Sequence, residues 1–331
     1  MNYDIYGIGN ALVDKEFEVT EAFLQQQGIE KGLMTLTDED RHHQLLDQLK
    51  TQFSLKKRAS GGSGANSIVA ASQLGGKTFY ACKVANDEFG EFYMNDMHAA
   101  GVSTMLEQVR NGPNGVTGKC MVMVTPDAER TMNTFLGITT NMSPEDVYLE
   151  PLKQSQYLYI EGYLVTSERS RQAVARAREI AAEHGVKTAL TFSDPSMATY
   201  FRTGLDEFIG HGVDMLFCNE EEALTFTETD DLADAINILK KKTNKLVLTL
   251  GSKGAMVINA NEQTAIAPHP VKAIDTNGAG DMFAGAFLYG ITQGMDDVKA
   301  GELASKAASK IVTVFGARLT KEDHQALLRS L

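Results

Sequence analysis

The chain has 331 residues, of which 43% are hydrophobic and 22% charged, and these globular proportions exclude a disordered, collagen-like or disulfide-rich chain. Its 31 Lys and Arg stand against 43 Asp and Glu, a net charge of −12, so we expect no general binding to nucleic acid, whose phosphates an acidic surface repels. The 3 cysteines are far apart and odd in number, which favours a reducing compartment. No apolar run approaches the roughly 20 residues of a membrane span, and the N-terminus has no signal-peptide pattern, so the sequence predicts a cytoplasmic protein that binds no membrane.

The first half of the chain mixes two hydrophobic patterns. An apolar run at 5–8 predicts a buried strand, and apolar residues at helical spacing predict helices over 67–74 and 89–100. Residues 13–19 and 116–125 instead alternate like half-exposed strands. We therefore predict a small β layer beside the main sheet.

The second half of the chain alternates strands and helices. Strands separated by helices of this length need crossover connections, which are typical of a parallel sheet covered on both faces. The sequence therefore predicts an α/β fold with a mostly parallel central sheet, helices on both faces and a three-layer core. The predicted strands are 157–160, 186–192, 213–218 and 246–250, and the predicted helices are 167–184, 220–226, 232–241, 281–291 and 302–314.

The small β layer is not separated from the rest by a linker. Because no Pro-, Ser- or Gly-rich stretch divides the two patterns, we expect a lid that extends from one domain rather than an independent module. We assign the lid to residues 11–37 and 113–137. The large α/β catalytic domain then consists of residues 1–10, 38–112 and 138–331.

Two glycine motifs resemble nucleotide-binding loops but stand in the wrong context. Gly7 and Gly9 follow a strand, yet the third glycine is missing and the next segment alternates like a strand, which argues against a dinucleotide-dependent oxidoreductase. Residues 71–78 nearly spell a P-loop, but there a helix precedes and a strand follows, whereas a P-loop needs the reverse order. Gly75 and Gly76 are better explained as the end of a helix.

The segment 275–281, DTNGAGD, stands directly before a predicted helix. Its small residues allow the backbone N–H groups of 278–281 to converge on an anion, and the helix dipole adds partial positive charge at the same point. Asp281 is suited to accept a proton from a hydroxyl nucleophile. The alternative is that Asp281 only favours the first turn of a helix after a glycine loop.

A second glycine cluster, SGGSGAN at 60–66, also precedes a predicted helix. Gly61 and Gly62 allow a ligand to lie against bare backbone, and Asn66 can both donate to and accept from a hydroxylated substrate. The alternative is a flexible loop with a helix N-cap.

The two clusters, in this order and about 210 residues apart, resemble the signatures of the ribokinase-like (PfkB) family of sugar and nucleoside kinases. The resemblance covers essentially the whole chain. Asn219 and Glu222 after a strand are similar to the family's N-x-x-E motif, and TLGSKG at 249–254 resembles its nucleotide loop. The resemblance implies a ribokinase-like, Rossmann-like three-layer fold and an ATP-dependent phosphotransferase.

Phosphoryl transfer needs an in-line hydroxyl, a proton acceptor and neutralisation of the charge on the γ-phosphoryl oxygens. By analogy with the family, Asp281 is the base, and Asn219 and Glu222 organise Mg²⁺, Glu222 through water. The resemblance places ATP at Asn219, Thr249, Gly251 and Gly254. It places the anion hole at the N–H groups of Asn277, Gly278, Ala279 and Gly280.

The resemblance also implies the acceptor site. Family members use an Asp just after the first strand, and a carboxylate that accepts two hydroxyls is suited to a cis-diol. A basic lid residue reaches the transferring phosphate, and an aromatic ring can stack on a base. The corresponding residues are Asp14, Asn10, Gly61, Gly62 and Asn66 around the sugar ring, Arg130 in the lid, and Tyr163 as the ring.

The identity of the acceptor stays open between two classes. GIGNALVD, DTNGAGD and CNEEEA resemble the adenosine kinase branch of the family, which favours adenosine and ATP as substrates, with AMP and ADP as products. Only Tyr163 could supply a ring, however, and Ser193-Asp194-Pro195 is similar to several carbohydrate kinases, so a ribose or fructose kinase is the alternative. A non-catalytic nucleoside or sugar sensor is a third reading. The family also implies a monovalent cation such as K⁺ near Asp275 and Gly316-Ala317, and the lid strands allow a monomer or a homodimer.

Overall fold

The computed structural model describes residues 2–105, 114–260 and 262–330, and within them the strands form two sheets. An eight-stranded central sheet has the order β13-β12-β11-β10-β9-β8-β1-β5, and a five-stranded small sheet has the order β3-β7-β6-β2-β4. The strands are β1 (Tyr3–Ile8), β2 (Leu12–Glu18), β3 (Met34–Leu36), β4 (Leu55–Gly61), β5 (Thr78–Ala81), β6 (Gly118–Val124), β7 (Arg130–Phe135), β8 (Ser155–Glu161), β9 (Lys187–Thr191), β10 (Val213–Asn219), β11 (Thr243–Thr249), β12 (Ala255–Asn259) and β13 (Gln263–Ile266).

The helices connect these strands and cover them. Several begin at a side chain that caps the first turn, as Ser167 caps α6 and Asp296 caps α12. The α-helices are α1 (Glu21–Gln27), α2 (Glu39–Gln52), α3 (Ser63–Gln73), α4 (Glu88–Ala99), α5 (Leu149–Lys153), α6 (Glu168–His184), α7 (Pro195–Tyr200), α8 (Arg202–Ile209), α9 (Glu220–Thr227), α10 (Leu232–Leu239), α11 (Ala279–Thr292), α12 (Asp297–Ile311) and α13 (Lys321–Arg329).

The central sheet confirms the predicted fold class. Its strands from β11 to β5 pair in parallel, and at the other edge β12 pairs antiparallel with both β11 and β13. One face packs Phe217 and Tyr159 against Phe287 of α11, while the other packs Phe192 against Phe226 of α9. Both faces are therefore buried under helices, as in a three-layer α/β core.

The small sheet differs from the prediction of half-exposed strands. β2 and β6 are buried along nearly their whole length. Phe17 on β2 packs with Phe23 and Leu45 of α1 and α2, two helices that the sequence analysis did not predict. The opposite face, with Leu12 and Cys120, borders a cavity between the two sheets. The strands alternate in composition, but side chains on both faces are buried, under α1 and α2 on one face and beside the cavity on the other.

The small sheet includes one strand from outside the predicted lid. Residues 38–112 were assigned to the large domain, whereas β4 pairs antiparallel with β2 in the small sheet, with Ser60 opposite Val13. A strand that is distant in the sequence can pair at the edge of a sheet, so the order of segments along the chain does not show that β4 belongs to the small sheet. The predicted boundary between 112 and 113 lies outside the described residues, and the division into a large domain and a lid stays a prediction.

The two glycine motifs that resemble nucleotide-binding loops have the structural roles that the sequence indicated. Gly7 lies inside β1, and β2 follows it instead of a helix. The amide of Gly75, at φ +110°, donates to Ser72, and that of Gly76 donates to Ala71, which ends α3 before β5 begins. Among the helices that the structure describes, none has the length and apolarity to cross a bilayer.

The close approach of α3 and α11 fixes how the two glycine clusters meet. A Cβ on Gly285 of α11 would overlap the backbone carbonyl oxygen of Ser67 on α3. A Cβ on Gly280, one turn earlier in the same helix, would point into open space. The pair therefore offers a matched test of the contact.

We expect Gly285→Ala to lower the free energy of unfolding by about 1–3 kcal/mol, the usual result of overpacking. Gly280→Ala should leave it unchanged or raise it by up to ~1 kcal/mol, because alanine has the higher helix propensity. Urea denaturation of both variants measures the difference. Equal unfolding midpoints would mean that the close approach of the helices does not constrain the fold.

Candidate active site

The N-terminus of α11 carries the predicted anion hole. Gly278 stands just before the helix at φ +75°, and a Cβ there would lie 2.5 Å from the Cβ of Ala317. A side chain at 278 is thus excluded twice, by the backbone conformation and by the neighbour. Asn277 N donates to Asp275 Oδ1 at 2.8 Å, and Ala279 N donates to Thr276 O at 3.3 Å. Within the described hydrogen bonds, the N–H groups of Gly278, Gly280 and Asp281 remain to bind an anion.

Asp281 in the first turn of α11 is held by the first turn of α3. Ser63 Oγ donates to Asp281 Oδ1 at 2.6 Å, and Asn66 Nδ2 donates to Asp281 Oδ2 at 3.0 Å. Burial raises the pKa of Asp281, while the two hydrogen bonds and the charges of Arg130 and Arg318 act in the opposite direction. The two glycine clusters therefore meet at a buried carboxylate whose oxygens both face donors.

The cavity between the two sheets has a volume of about 740 Å³, and Asp281 lines it together with residues of both sheets. It is large enough for a nucleotide or for two smaller ligands side by side. Every sequence-predicted site residue except Gly61 lines it, namely Asn10, Asp14, Gly62, Asn66, Arg130, Tyr163, Asn219, Glu222, Thr249, Gly251, Gly254, Asn277, Gly278, Ala279, Gly280 and Asp281.

Gly61, whose contact with substrate stays a prediction, lies directly beside Asp14. It does not line the cavity, and a Cβ on it would overlap the carboxylate of Asp14. The missing side chain leaves the space that Asp14 fills. Gly62, at φ +103°, does line the cavity, and a Cβ there would overlap the carbonyl oxygen of Asn10.

Asp14 projects from β2 into the cavity with 7% of its surface exposed. Burial raises its pKa well above the usual range, as does the nearby Glu16, and the charge of Arg318 lowers it. No side chain or amide in the described ranges donates a hydrogen bond to this carboxylate. Its oxygens are thus available to ligand hydroxyls.

Glu161, at the end of β8, belongs to the site although the sequence analysis did not name it. It is fully buried and lines the cavity. Its carboxylate accepts from Asn10 N at 3.2 Å, Asn10 Nδ2 at 3.0 Å and Gly64 N at 2.8 Å. Burial raises the pKa of Glu161 to about 7. The available signal was a single charge at the carboxyl end of a buried strand, where α/β proteins place ligand sites.

Asn219 and Glu222 form a closed pair at the start of α9. Asn219 Oδ1 accepts from Glu222 N at 2.8 Å, and the Glu222 carboxylate accepts from Asn219 N and Asn219 Nδ2, each at 3.0 Å. This is a capping box, so the pair also stabilises the first turn of α9. Burial raises the pKa of Glu222 to about 8.

The donors present fit a magnesium ion held mainly by phosphates and water. The described residues contain no group of three or more His, Cys, Asp or Glu that could hold a metal by themselves. Mg²⁺ typically keeps several waters beside one or two protein oxygens. Asn219 and Glu222 line the cavity, and Glu222 has both oxygens engaged by Asn219, which fits contact through water.

A monovalent cation fits the predicted segment less well. The ammonium of Lys57 donates to the carbonyl oxygens of Phe315 at 3.1 Å and Arg318 at 2.8 Å, on either side of Gly316-Ala317. The carboxylate of Asp275 already accepts from Gly316 N at 2.7 Å and Asn277 N at 2.8 Å. The segment therefore already binds a fixed positive charge, which would repel a second one.

The small sheet contributes an apolar wall that the sequence analysis did not name. Its side chains come from alternate positions of neighbouring strands. The alternation of residues 132–136 was therefore the sequence pattern that could have predicted which side chains face the cavity. Arg130, at the start of β7, borders this wall, and its charge acts on Asp281. The wall consists of Leu12, Met34, Leu36, Cys120, Met132 and Leu136.

The model of the pfkB family of carbohydrate kinases matches residues 33–324. The chain belongs to this family. Adenosine kinase 2 of Arabidopsis thaliana is 30% identical to this chain over an alignment of 332 residues. The alignment covers 92% of this chain and 93% of that protein. The adenosine kinase of Saccharomyces cerevisiae is 28% identical, and the alignment covers 87% of this chain and 88% of the yeast protein.

Two solved structures are similar over the whole chain. The adenosine kinase of Sinorhizobium meliloti has a TM-score of 0.94 at 34% identity, with 100% of both chains covered. A probable sugar kinase of Rhizobium etli has a TM-score of 0.93 at 32% identity, with 99% of this chain and 98% of that chain covered. These matches confirm the predicted ribokinase-like fold and family, and the pfkB protein described here is an ATP-dependent kinase.

Proposed function

We propose that this kinase transfers the γ-phosphoryl group of ATP to the primary hydroxyl of a ribonucleoside, with adenosine as the preferred acceptor. The observation that carries the proposal is the apolar wall of the small sheet, which lies in the same cavity as Asp14 and Asp281. A carboxylate for a diol beside an apolar surface suits a ribose with an attached base. The adenosine kinases among its relatives support the same acceptor.

In the proposed mechanism, Asp281 takes the proton of the attacking hydroxyl, and Ser63 and Asn66 hold its two oxygens in place. In the proposed anion hole at Asn277 to Gly280, the N–H groups of Gly278 and Gly280, which have no partner in the described network, receive the negative charge of the transferring phosphoryl group. Mg²⁺, when bound with ATP, neutralises charge on the phosphates. Arg130 adds a positive charge from the small sheet.

At the acceptor end, Asp14 accepts hydrogen bonds from the ribose hydroxyls, and Asn10 is held beside it by Glu161. Gly62 allows the ring to approach the backbone. At the nucleotide end, Thr249, Gly251 and Gly254 border ATP, and Asn219 and Glu222 orient the waters of the metal. Tyr163 lines the acceptor side of the cavity and can pack against the base.

The same inference extends to partners and location. We infer a cytoplasmic protein that acts on small molecules as a monomer or homodimer and binds no nucleic acid or membrane. The net charge of −12 and three unpaired, buried cysteines support this inference.

A screen of ADP release with adenosine, guanosine, inosine, ribose and fructose tests the acceptor. Burial of about 100 Å² of a base contributes about 2.5 kcal/mol, so we expect kcat/KM for adenosine to exceed that for ribose by roughly 100-fold. Leu36→Asn should lower kcat/KM for adenosine several-fold and leave kcat/KM for ribose unchanged, because Leu36 belongs to the apolar wall and is not among the residues proposed to hold the ribose or the phosphates. Preference for a free sugar would establish the carbohydrate kinase alternative, and no ADP release with any acceptor would contradict the proposal.

Replacement of the proposed base gives a second prediction. Asp281→Asn should lower kcat by at least ~10²-fold, because an amide cannot accept the proton. The thermal midpoint should change little, since an amide can keep a hydrogen bond from Ser63. Steady-state kinetics beside thermal unfolding separate the two effects, and near-normal turnover would show that another group is the base.

The monovalent cation gives a third prediction. Because the ammonium of Lys57 already bonds the segment at 315–318, we expect kcat to change less than about twofold when K⁺ is replaced by tetramethylammonium at constant ionic strength. Lys57→Met should lower kcat and make it respond to K⁺, since the two carbonyl oxygens would then lack a cation. A strong K⁺ requirement of the unaltered kinase would show that Lys57 does not take the place of the ion.

A further inference from the structure

Arg318 lies in the segment between α12 and α13, and its side chain turns inward with only 10% of its surface exposed. Its guanidinium donates in three directions. Nε donates to Asn66 Oδ1 at 3.2 Å, and Nη1 donates to Ser60 Oγ at 2.6 Å and Asp96 Oδ2 at 3.1 Å. The side chain therefore joins the C-terminal segment to β4, α3 and α4.

The contact with Asn66 fixes which way its amide faces. A primary amide has one oxygen that accepts and one nitrogen that donates, whereas a guanidinium only donates. With the oxygen toward Arg318, the nitrogen points to Asp281 Oδ2 at 3.0 Å. The flipped amide would place NH₂ against the guanidinium and oxygen against a carboxylate, so both contacts would become repulsive.

The guanidinium is itself held rigidly. Asp96 Oδ2 accepts from Ser60 N at 2.9 Å and Ser60 Oγ at 2.6 Å as well as from Arg318. The backbone carbonyl of Arg318 accepts from the ammonium of Lys57 at 2.8 Å. Because these anchors lie outside the cavity, substrate binding does not have to order them.

We propose that Arg318 is a positioning residue for phosphoryl transfer, which orients the Asn66 amide so that Asp281 Oδ2 is held in place and Oδ1 faces Ser63. The proposal rests on the role of Asp281 as the base. Arg318 acts through Asn66 and does not line the cavity, so it touches neither substrate.

The charge of Arg318 has a second consequence at the same carboxylate. Burial raises the pKa of Asp281, and the positive charge of Arg318 is one of the groups that lower it. A base works only when deprotonated. Loss of the guanidinium should therefore move the acidic limb of the kcat profile to higher pH.

The test is a double-mutant cycle on kcat with saturating ATP and the best acceptor of the screen. We expect Arg318→Met to lower kcat by about 10–100-fold, the size of effect that misplacement of a reacting group produces. KM for ATP should stay within about twofold. In the Asn66→Ala background the same change should lower kcat by less than about twofold, because the residue through which Arg318 acts is gone.

Arg178→Met is the matched control. Arg178 is also partly buried and donates to backbone carbonyls, those of Phe208 and Gly212, but it does not line the cavity or contact a residue that does so in the described network. It should lower the thermal midpoint and leave kcat and its pH profile unchanged. If Arg318→Met behaves in the same way, Arg318 is only structural and the proposal is wrong.

Arg318→Lys covers the case in which the methionine variant does not fold. Lysine keeps the charge but cannot donate to Asn66 and Asp96 in parallel. We expect kcat between those of the parent and Asn66→Ala, with the acidic limb close to that of the parent. A kcat equal to the parent, or effects of Arg318 and Asn66 that multiply, would overturn the proposal.

The cycle also separates this proposal from the proposed base. If Asp281→Asn retains near-normal turnover, the assignment of the base fails, whatever Arg318 does. If Asp281→Asn is inactive and Arg318→Met keeps both kcat and pH profile, only the role of Arg318 fails.

Discussion

The hydrogen bonds from the first turn of α3 to the carboxylate of Asp281 are the contact on which the rest of the site depends. Ser63 and Asn66 lie three residues apart, so both face the same side of the helix. The same contact brings the N-termini of two helices to one point, where the dipoles and free N–H groups favour a negative charge. The small residues between α3 and α11 allow this approach, since a larger residue at Gly285 would overlap the backbone of α3.

A second constraint is the charge of the site. The protein has a net charge of −12, and Asp14, Glu161 and Glu222 all line a cavity that must receive the phosphates of ATP. Burial raises the pKa of each of these carboxyls, which lowers the negative charge that the ligand meets. Backbone N–H groups, Arg130 and the metal supply positive potential locally. The overall field of the protein opposes ATP, so affinity has to arise within the cavity.

The sequence predicted the layers of the fold, and every site residue that it singled out except Gly61 lines the cavity. The central sheet followed from apolar runs between helices, and Asp281 and Asn66 followed from glycine clusters before helices. The contact of Gly61 with substrate stays a prediction, whereas its closeness to Asp14 depends on the antiparallel pairing of β4 with β2, which the sequence pattern does not show. Glu161 and the apolar wall were missed, since each is an ordinary residue in its own strand and gains its role from a neighbour far along the chain.

The sequence by itself determined what local patterns show: the strands and helices, the helix N-termini that we propose as anion sites, and the family that shares these motifs. Only the tertiary structure decided which residues share a cavity and which support it. Arg318 and Asn66 are 252 positions apart, and Lys57 is 258 from Phe315. Contacts of this kind depend on how the two sheets and the C-terminal segment pack, and packing is a property of the whole chain.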